Sequence, residues 1–224
     1  VVTSGAIPII ADIDYATQNI SINEIEPTLT EKTKAIIVVH LSGLSCDMDP
    51  ILKFAKDNNL YVIEDCAQAH GASYKGQACG TMGEIAAFSF CQDKIMSTGG
   101  EGGMVVTNNT KLWEKSWSYK DHGKSQNKIF SKSASVGEYR WVHDDIGTNY
   151  RMTCMQAAIG SCQLKKLRSW VDARIENASI LDKELRDIAG IDVLEAPDSY
   201  VHSYYKYYFN VDPNVYNKQE ILTK

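Results

Sequence analysis

Short apolar runs alternate with segments of helical periodicity along this chain, and that order is typical of an α/β domain built on a mostly parallel sheet. The runs predicted as strands are 7–13, 35–39, 60–64, 85–90 and 104–107. The segments predicted as helices are 21–29, 49–58, 109–119, the stretch opened by a capping box at Thr153 and Gln156, and 170–188. The pattern therefore predicts a central sheet flanked by helices.

A second unit is predicted after the last long helix, because apolar runs at 191–194 and 205–211 again favour strands. We predict a large domain over 1–188 and the beginning of a smaller α+β domain over 189–224. The polar stretch 123–147 is expected to be a long irregular excursion. The chain begins without methionine and stops where a helix is expected to start, so we expect it to be a piece of a longer protein.

Composition and charge exclude several classes of protein. The chain has 224 residues, is 44% hydrophobic and carries a net charge of -5, which argues against a nucleic-acid binder. We find no apolar run of membrane-spanning length and no signal peptide. The six cysteines form no Cys-x-x-Cys pair, so no metal site is predicted, and reduced thiols favour a cytoplasmic location.

Three residues near the ends of predicted strands could form a catalytic site. Asp65 ends a hydrophobic strand, Ser89 lies in a strand of small residues, and Lys94 follows it, just before the glycine-rich stretch 99–103. Ligands of open α/β sheets bind beyond the carboxyl ends of the strands. A lysine that forms a Schiff base and a carboxylate that keeps a pyridine nitrogen protonated are what pyridoxal phosphate requires. The residues therefore predict a pyridoxal phosphate site.

Each of these residues also has a plain structural explanation. A lysine near glycines is usually a solvated loop residue, and Asp65 could cap a helix that follows its strand. Ser89 could be a small residue that packs well, and Gln68 and Asn149 could belong to turns or caps. The order of the whole set favours the functional interpretation.

The same residues lie in a series of motifs that resembles the DegT/DnrJ/EryC1/StrS family of sugar aminotransferases. The motifs are Glu64-Asp65-Cys66-Ala67-Gln68-Ala69-His70-Gly71-Ala72, Gly80-Thr81-Met82-Gly83, Phe88-Ser89-Phe90 to Lys94, Gly100-Glu101-Gly102-Gly103, Asp121-His122-Gly123 and Gly147-Thr148-Asn149-Tyr150-Arg151-Met152. The resemblance implies the pyridoxal phosphate transferase fold of type I, similar to aspartate aminotransferase. The lead-in Cys91-Gln92-Asp93 departs from the family's usual aromatic and proline-containing segment, which suggests a subgroup.

The resemblance also implies a role for each matched residue. Lys94 would be the Schiff-base lysine and proton shuttle, and Asp65 would pair with the pyridine nitrogen. The residues implied to complete the cofactor cradle are Ala67 on the ring face, Gln68 on the phenolic oxygen, Ser89 on the phosphate, and Asn149 on the phosphate of the neighbouring subunit's cofactor. The last role implies a homodimer with a shared site.

The implied reaction is transfer of an amino group, with L-glutamate as the usual donor, to a keto sugar that is usually nucleotide-linked. Two alternatives stay open. A sugar dehydratase of the same family is one, although the resemblance associates that branch with a histidine in place of Lys94. A non-catalytic regulatory protein on the same fold is the other.

Overall fold

The computed structural model describes residues 1–130, 143–217, 219 and 223. Its strands are β1 Ala35–Val39, β2 Tyr61–Asp65, β3 Ser73–Tyr74, β4 Gln77–Ala78, β5 Ile85–Ser89, β6 Gly103–Val106, β7 Ile191–Val193, β8 Tyr200–Val201 and β9 Phe209–Val211. Its α-helices are α1 Ile22–Ile25, α2 Met48–Asp57, α3 Thr110–Lys120, α4 Gln126–Phe130, α5 Cys154–Leu164 and α6 Leu167–Leu185. Within the described ranges, no helix combines the length and apolar character that crossing a bilayer demands.

The main sheet has the strand order β1-β2-β5-β6. β1, β2 and β5 are parallel, with Val39 beside Asp65 and Asp65 beside Ala87. β6 runs antiparallel to β5 and places Gly103 opposite Ser89. The prediction of a mostly parallel α/β sheet is confirmed, and the register sets the ends of β1, β2 and β5 side by side.

One face of this sheet is held by α2. Side chains alternate between the faces of a strand, so Ile36 and Val38 of β1 point to the same side and are buried. They pack in one cluster with Val62 of β2 and with Ile51 of α2, which is fully buried. Burial of each such side chain contributes about 1.5–3 kcal/mol, which fixes the strand ends relative to one another.

The predicted strand at 7–13 is wrong. Ile13 forms an isolated bridge with Ile20, while Ile7 and Ile10 are 85% and 86% exposed. A strand needs a hydrogen-bonded neighbour, and in the described ranges no further strand lies beside this segment. The predicted helix at 21–29 also breaks, since α1 passes into a 3-10 turn at Glu26–Thr28 that contains proline.

The C-terminal part differs from its prediction as well. Of the predicted strand 205–211, β9 alone is formed, paired with β7. β8 lies earlier in the chain and pairs with β3, so the chain returns to the first unit after α6. The segment 202–206 then docks on the loop after β1, where the Ser203 N–H donates to the Gly43 carbonyl at 3.0 Å. The domain division at 188/189 stays a prediction.

The excursion 123–147 holds the short helix α4, and its residues 131–142 lie outside the described part of the chain. A helix was also expected to start near the end of the chain, at 221–224, and most of these residues lie outside the described part of the chain as well. The capping box is confirmed, because the Gln156 N–H donates to Thr153 Oγ1 at 3.3 Å and Gln156 Oε1 accepts from the Thr153 N–H at 3.0 Å.

Candidate active site

Asp65 and Ser89 end adjacent parallel strands, so both lie at the carboxyl edge of the sheet. The Ala67 N–H donates to Asp65 Oδ1 at 3.0 Å, which orients the carboxylate. This is the one hydrogen bond of the Asp65 side chain within the described residues, so Oδ2 is available to a ligand. A half-buried carboxylate with a free oxygen at this edge fits a protonated ring nitrogen.

Glu64 precedes Asp65 but points to the other face of the strand, because side chains alternate. It is fully buried, and its carboxylate accepts hydrogen bonds from the backbone N–H groups of Gly80 at 2.6 Å, Met82 at 2.8 Å and Gly83 at 2.6 Å. Burial favours a raised pKa for Glu64, but hydrogen bonds from His40 and from the amides of Gly83 and Gly80 outweigh it and lower the pKa. Glu64 is therefore a structural anchor of the loop after β4.

His40 completes this buried network. Its Nε2 lies 3.0 Å from Glu64 Oε2, and its Nδ1 accepts from the Cys46 N–H at 3.1 Å, so Nε2 carries the proton that Glu64 accepts. Ligand atoms of His40, Glu64 and Cys66 lie within 4.8 Å of one another, a spacing compatible with a metal ion. The histidine and the carboxylate are already engaged with protein donors, and burial raises the pKa of the Cys66 thiol, so the cluster is satisfied as a hydrogen-bond network.

Gln68 joins the loops that follow β1 and β2. Its Oε1 accepts from the Ser42 N–H at 2.6 Å, and Ser42 adopts a left-handed backbone conformation with φ of 54°. The neighbouring Gly43 has φ of 97°, and a Cβ there would lie 2.3 Å from Ser203 Oγ and 3.1 Å from the Gln68 carbonyl oxygen. A glycine is therefore required at this crossing of three segments. In the part of the chain that the structure describes, the Gln68 amide nitrogen makes no hydrogen bond, so it is available to a ligand.

Lys94 lies in the loop between β5 and β6. The Lys94 N–H donates to the Cys91 carbonyl at 3.1 Å, and the Cys91 N–H donates to Ser89 Oγ at 3.3 Å. The next two residues, Ile95 and Met96, are buried and anchor the loop. Ser89 and Lys94 are thus held in one compact turn beyond the end of β5.

Glycines close this loop because backbone and side chains approach closely. A Cβ on Gly102 would lie 2.2 Å from Thr98 Oγ1, and one on Gly103 would lie 2.9 Å from the Phe88 carbonyl oxygen. Thr98 in turn donates to the Glu101 carbonyl at 3.1 Å. A residue with a Cβ would clash at either position, so glycine is needed at both.

The Lys94 amine meets the C-terminal part of the chain. Its Nζ lies 3.5 Å from the Tyr205 hydroxyl and 4.7 Å from the centre of the ring, and the hydroxyl donates to Asp93 Oδ2. Tyr205 and Asp93 were not among the predicted site residues, and Tyr205 was assigned to the strand predicted at 205–211. The unusual lead-in to Lys94 was the available signal, since it places an acid beside the lysine.

The structure does not bring Asn149 to the other predicted residues. Asn149 is exposed and forms an isolated antiparallel bridge with Asp121. Asp121 also pairs with Arg151, and this ion pair, with the charge of Lys124, lowers the pKa of Asp121 against the opposing effect of burial. The predicted role of Asn149 concerns a neighbouring subunit and stays a prediction.

An apolar cavity of about 510 Å³ is walled by His70, Phe88, Phe90 and Met104 among others, and none of the predicted site residues lines it. His70 is 2% exposed, and among the described residues neither ring nitrogen has a hydrogen-bond partner of good geometry. Burial lowers the pKa of His70 to about 4. His70 is therefore neutral at pH 7 and packs as an aromatic between Phe88 and Phe90, with ring centres 5.5 and 5.9 Å away.

This burial predicts an acid-sensitive stability. The folded pKa of His70 lies below the ordinary value of 6.5, so the unfolded chain takes up the proton first as pH falls. The free energy of unfolding therefore keeps its full value above pH 6.5 and falls towards pH 4, by at most about 3 kcal/mol. We expect His70→Phe in the full-length protein to flatten this pH dependence, measured by denaturant unfolding between pH 7 and 4.

Burial lowers the pKa of His202 to about 4 as well. The His70→Phe variant should therefore keep roughly half of the loss of unfolding free energy between pH 7 and 4. An unchanged slope in the variant would show that His70 binds its proton equally well in both states.

A model of the DegT/DnrJ/EryC1/StrS aminotransferase family matches residues 1–224. The chain belongs to this family. The GDP-perosamine synthase of Escherichia coli O157:H7 is 43% identical over 188 residues, which are 84% of this chain and 48% of that protein. The GDP-perosamine synthase of Caulobacter vibrioides is 43% identical over 170 residues, which are 76% of this chain and 43% of that protein.

The crystal structure of an aminotransferase from Psychrobacter cryohalolentis is 47% identical and superposes with a TM-score of 0.91. The match covers 97% of this chain and 57% of that one. The chain thus spans about half the length of the curated relatives it matches. The likeness confirms the predicted family resemblance and the aminotransferase fold of type I.

Proposed function

We propose that the full-length protein is a pyridoxal phosphate-dependent aminotransferase that moves an amino group from an amino acid, first of all L-glutamate, to a nucleotide-linked keto sugar. The observation that carries the proposal is the placement of Asp65 at the end of β2 and of Lys94 in the loop that follows the adjacent parallel strand β5. Asp65 has a free carboxylate oxygen, and Lys94 is half-buried. The GDP-linked products in the names of two relatives support a nucleotide-linked substrate.

The bound cofactor supplies an electron sink for carbon–hydrogen bond cleavage at the amino acid. Lys94 would hold the cofactor covalently through its amine and, as the free amine, would move the proton between carbon atoms. Asp65 keeps the ring nitrogen protonated through its negative charge. Ala67 packs on the ring, Gln68 donates to the phenolic oxygen, and Ser89 donates to the phosphate.

The remaining parts of the proposal concern assembly. Asn149 reaches the phosphate of the cofactor in the neighbouring subunit, so the working enzyme is a homodimer. The large domain over 1–188 carries the cofactor, and the unit from 189 onward closes one side of the site. The enzyme works in the cytoplasm on small-molecule substrates, with neither nucleic acid nor membrane as a partner.

The test uses the full-length protein loaded with pyridoxal phosphate. We expect L-glutamate alone to yield one equivalent of 2-oxoglutarate per site, because the two half-reactions share one site and follow ping-pong kinetics. A panel of nucleotide-linked keto sugars should then identify the acceptor by mass spectrometry of the amino sugar. A protein that binds no pyridoxal phosphate contradicts the proposal, and loss of water from the sugar without amination would favour the dehydratase.

A further inference from the structure

Tyr205 joins Asp93 to Lys94, although it lies 111 residues from the lysine in sequence. Tyr205 is 8% exposed and packs in one cluster with Ile95 and Val171. The backbone at this point is held by Arg174, whose Nη1 donates to the Tyr204 carbonyl at 3.0 Å. The hydroxyl therefore reaches the lysine from a rigid support, so its position depends on the fold and not on the mobility of a loop.

The hydrogen bonds of the Tyr205 hydroxyl have a defined direction. Its single proton goes to the Asp93 carboxylate, and this bond lowers the pKa of Asp93 and raises the pKa of Tyr205 to about 12. The hydroxyl stays protonated at neutral pH, and its oxygen can only accept a hydrogen bond from the Lys94 amine. In its neutral form, an amine that donates an N–H in this way keeps its lone pair unengaged.

We propose that Tyr205, oriented by Asp93, is a positioning residue that holds the Lys94 amine by an N–H and leaves its lone pair free to attack. The consequence for cofactor attachment rests on the proposed function, in which Lys94 bonds to the aldehyde carbon of pyridoxal phosphate and water leaves. Without the Asp93 acceptor, the hydroxyl is free to donate its proton to the lone pair of Lys94 and mask the nucleophile.

The first test needs no cofactor. Lys94 in the cofactor-free full-length protein is acylated with acetic anhydride, and the rate is read from the Lys94 peptide by mass spectrometry. Asp93→Ala and Asp93→Asn remove the same charge, but asparagine keeps an oxygen that accepts the Tyr205 proton. We expect Asp93→Ala to label about fivefold more slowly than Asp93→Asn, the effect of one hydrogen bond.

Adding Tyr205→Phe to Asp93→Ala should restore the labelling rate to within about twofold of Asp93→Asn, because the masking hydroxyl is gone. A role of Asp93 in folding alone would not be rescued by deleting a second polar group. Equal rates for Asp93→Ala and Asp93→Asn, or failure of Tyr205→Phe to restore labelling, would overturn the proposal.

The second test adds pyridoxal phosphate and follows covalent attachment by visible absorbance. Tyr205→Phe should slow attachment about tenfold, because the amine is no longer held for attack. Tyr207→Phe is the matched control, since Tyr207 also donates to an aspartate, Asp182 at 2.6 Å. If the parent protein attaches no cofactor, the proposed function fails while the acylation series still decides the role of Tyr205. Equal attachment rates for the two tyrosine variants would contradict the positioning role.

Discussion

Lys94→Ala is expected to abolish covalent attachment of pyridoxal phosphate to the full-length protein and to lower amino-group transfer by about 10²–10⁴-fold, the range for loss of a general acid–base group. The physical reason is that one amine both holds the cofactor and moves the proton. The measurements are the visible absorbance of the purified variant, the mass of the borohydride-reduced protein and the rate of 2-oxoglutarate release from L-glutamate.

Lys120→Ala is the matched control for this variant. Its Nζ lies 4.8 Å from the Trp117 ring centre, close to the 4.7 Å between Lys94 and Tyr205, but it lies in α3 and not in the candidate site. The control should keep its cofactor and its activity within about twofold, as expected for a surface substitution. A Lys94→Ala protein that still carries reducible cofactor would remove Lys94 from its proposed role.

Glu64→Ala is expected to lower the free energy of unfolding of the full-length protein by about 3–5 kcal/mol. The carboxylate is fully buried, so its removal leaves the N–H groups of Gly80, Met82 and Gly83 and the proton of His40 without acceptors. Chemical denaturation followed by circular dichroism measures the loss.

Two further variants separate the hydrogen-bond network from loss of charge. Glu64→Gln keeps the shape of the side chain and one acceptor oxygen. Its free energy of unfolding should therefore lie between those of the parent protein and Glu64→Ala. Asp57→Ala breaks an ion pair with Lys53 whose carboxylate is 57% exposed, and it should cost less than about 1 kcal/mol. A Glu64→Ala protein as stable as Asp57→Ala would show that the β4 loop does not depend on this anchor.

Local pattern was a sound guide where a segment is stabilised by its own sequence or by burial of one face. The helix after Thr153 begins with the predicted capping box, because both hydrogen bonds of that motif are local. The strands β1, β2 and β5 were predicted to within one residue, because each is a short apolar run with residues buried in the core.

Pattern failed where a strand depends on a partner from elsewhere. The run 7–13 has strand composition, yet apart from the bridge at Ile13 it has no neighbour to pair with in the described chain. The run 205–208 has the aromatic content of a strand, but the N–H of Lys206 donates to the Ser42 carbonyl at 3.4 Å instead of to a ladder. The composition of a segment indicates whether it suits a strand, but not whether a neighbouring strand is available to pair with it.

The sequence by itself determined the α/β sheet, and it predicted Asp65 and Lys94 as the chemical groups of one site, because residue type and order along the strands carry that information. Only the tertiary structure decided that Glu64 turns away from the site into a buried network and that Tyr205 meets the Lys94 amine. The alternation of side chains along a strand shows that adjacent residues face opposite sides of the sheet, but not which side holds the ligand. Contacts between residues 111 apart arise from packing of whole elements, which no local pattern encodes.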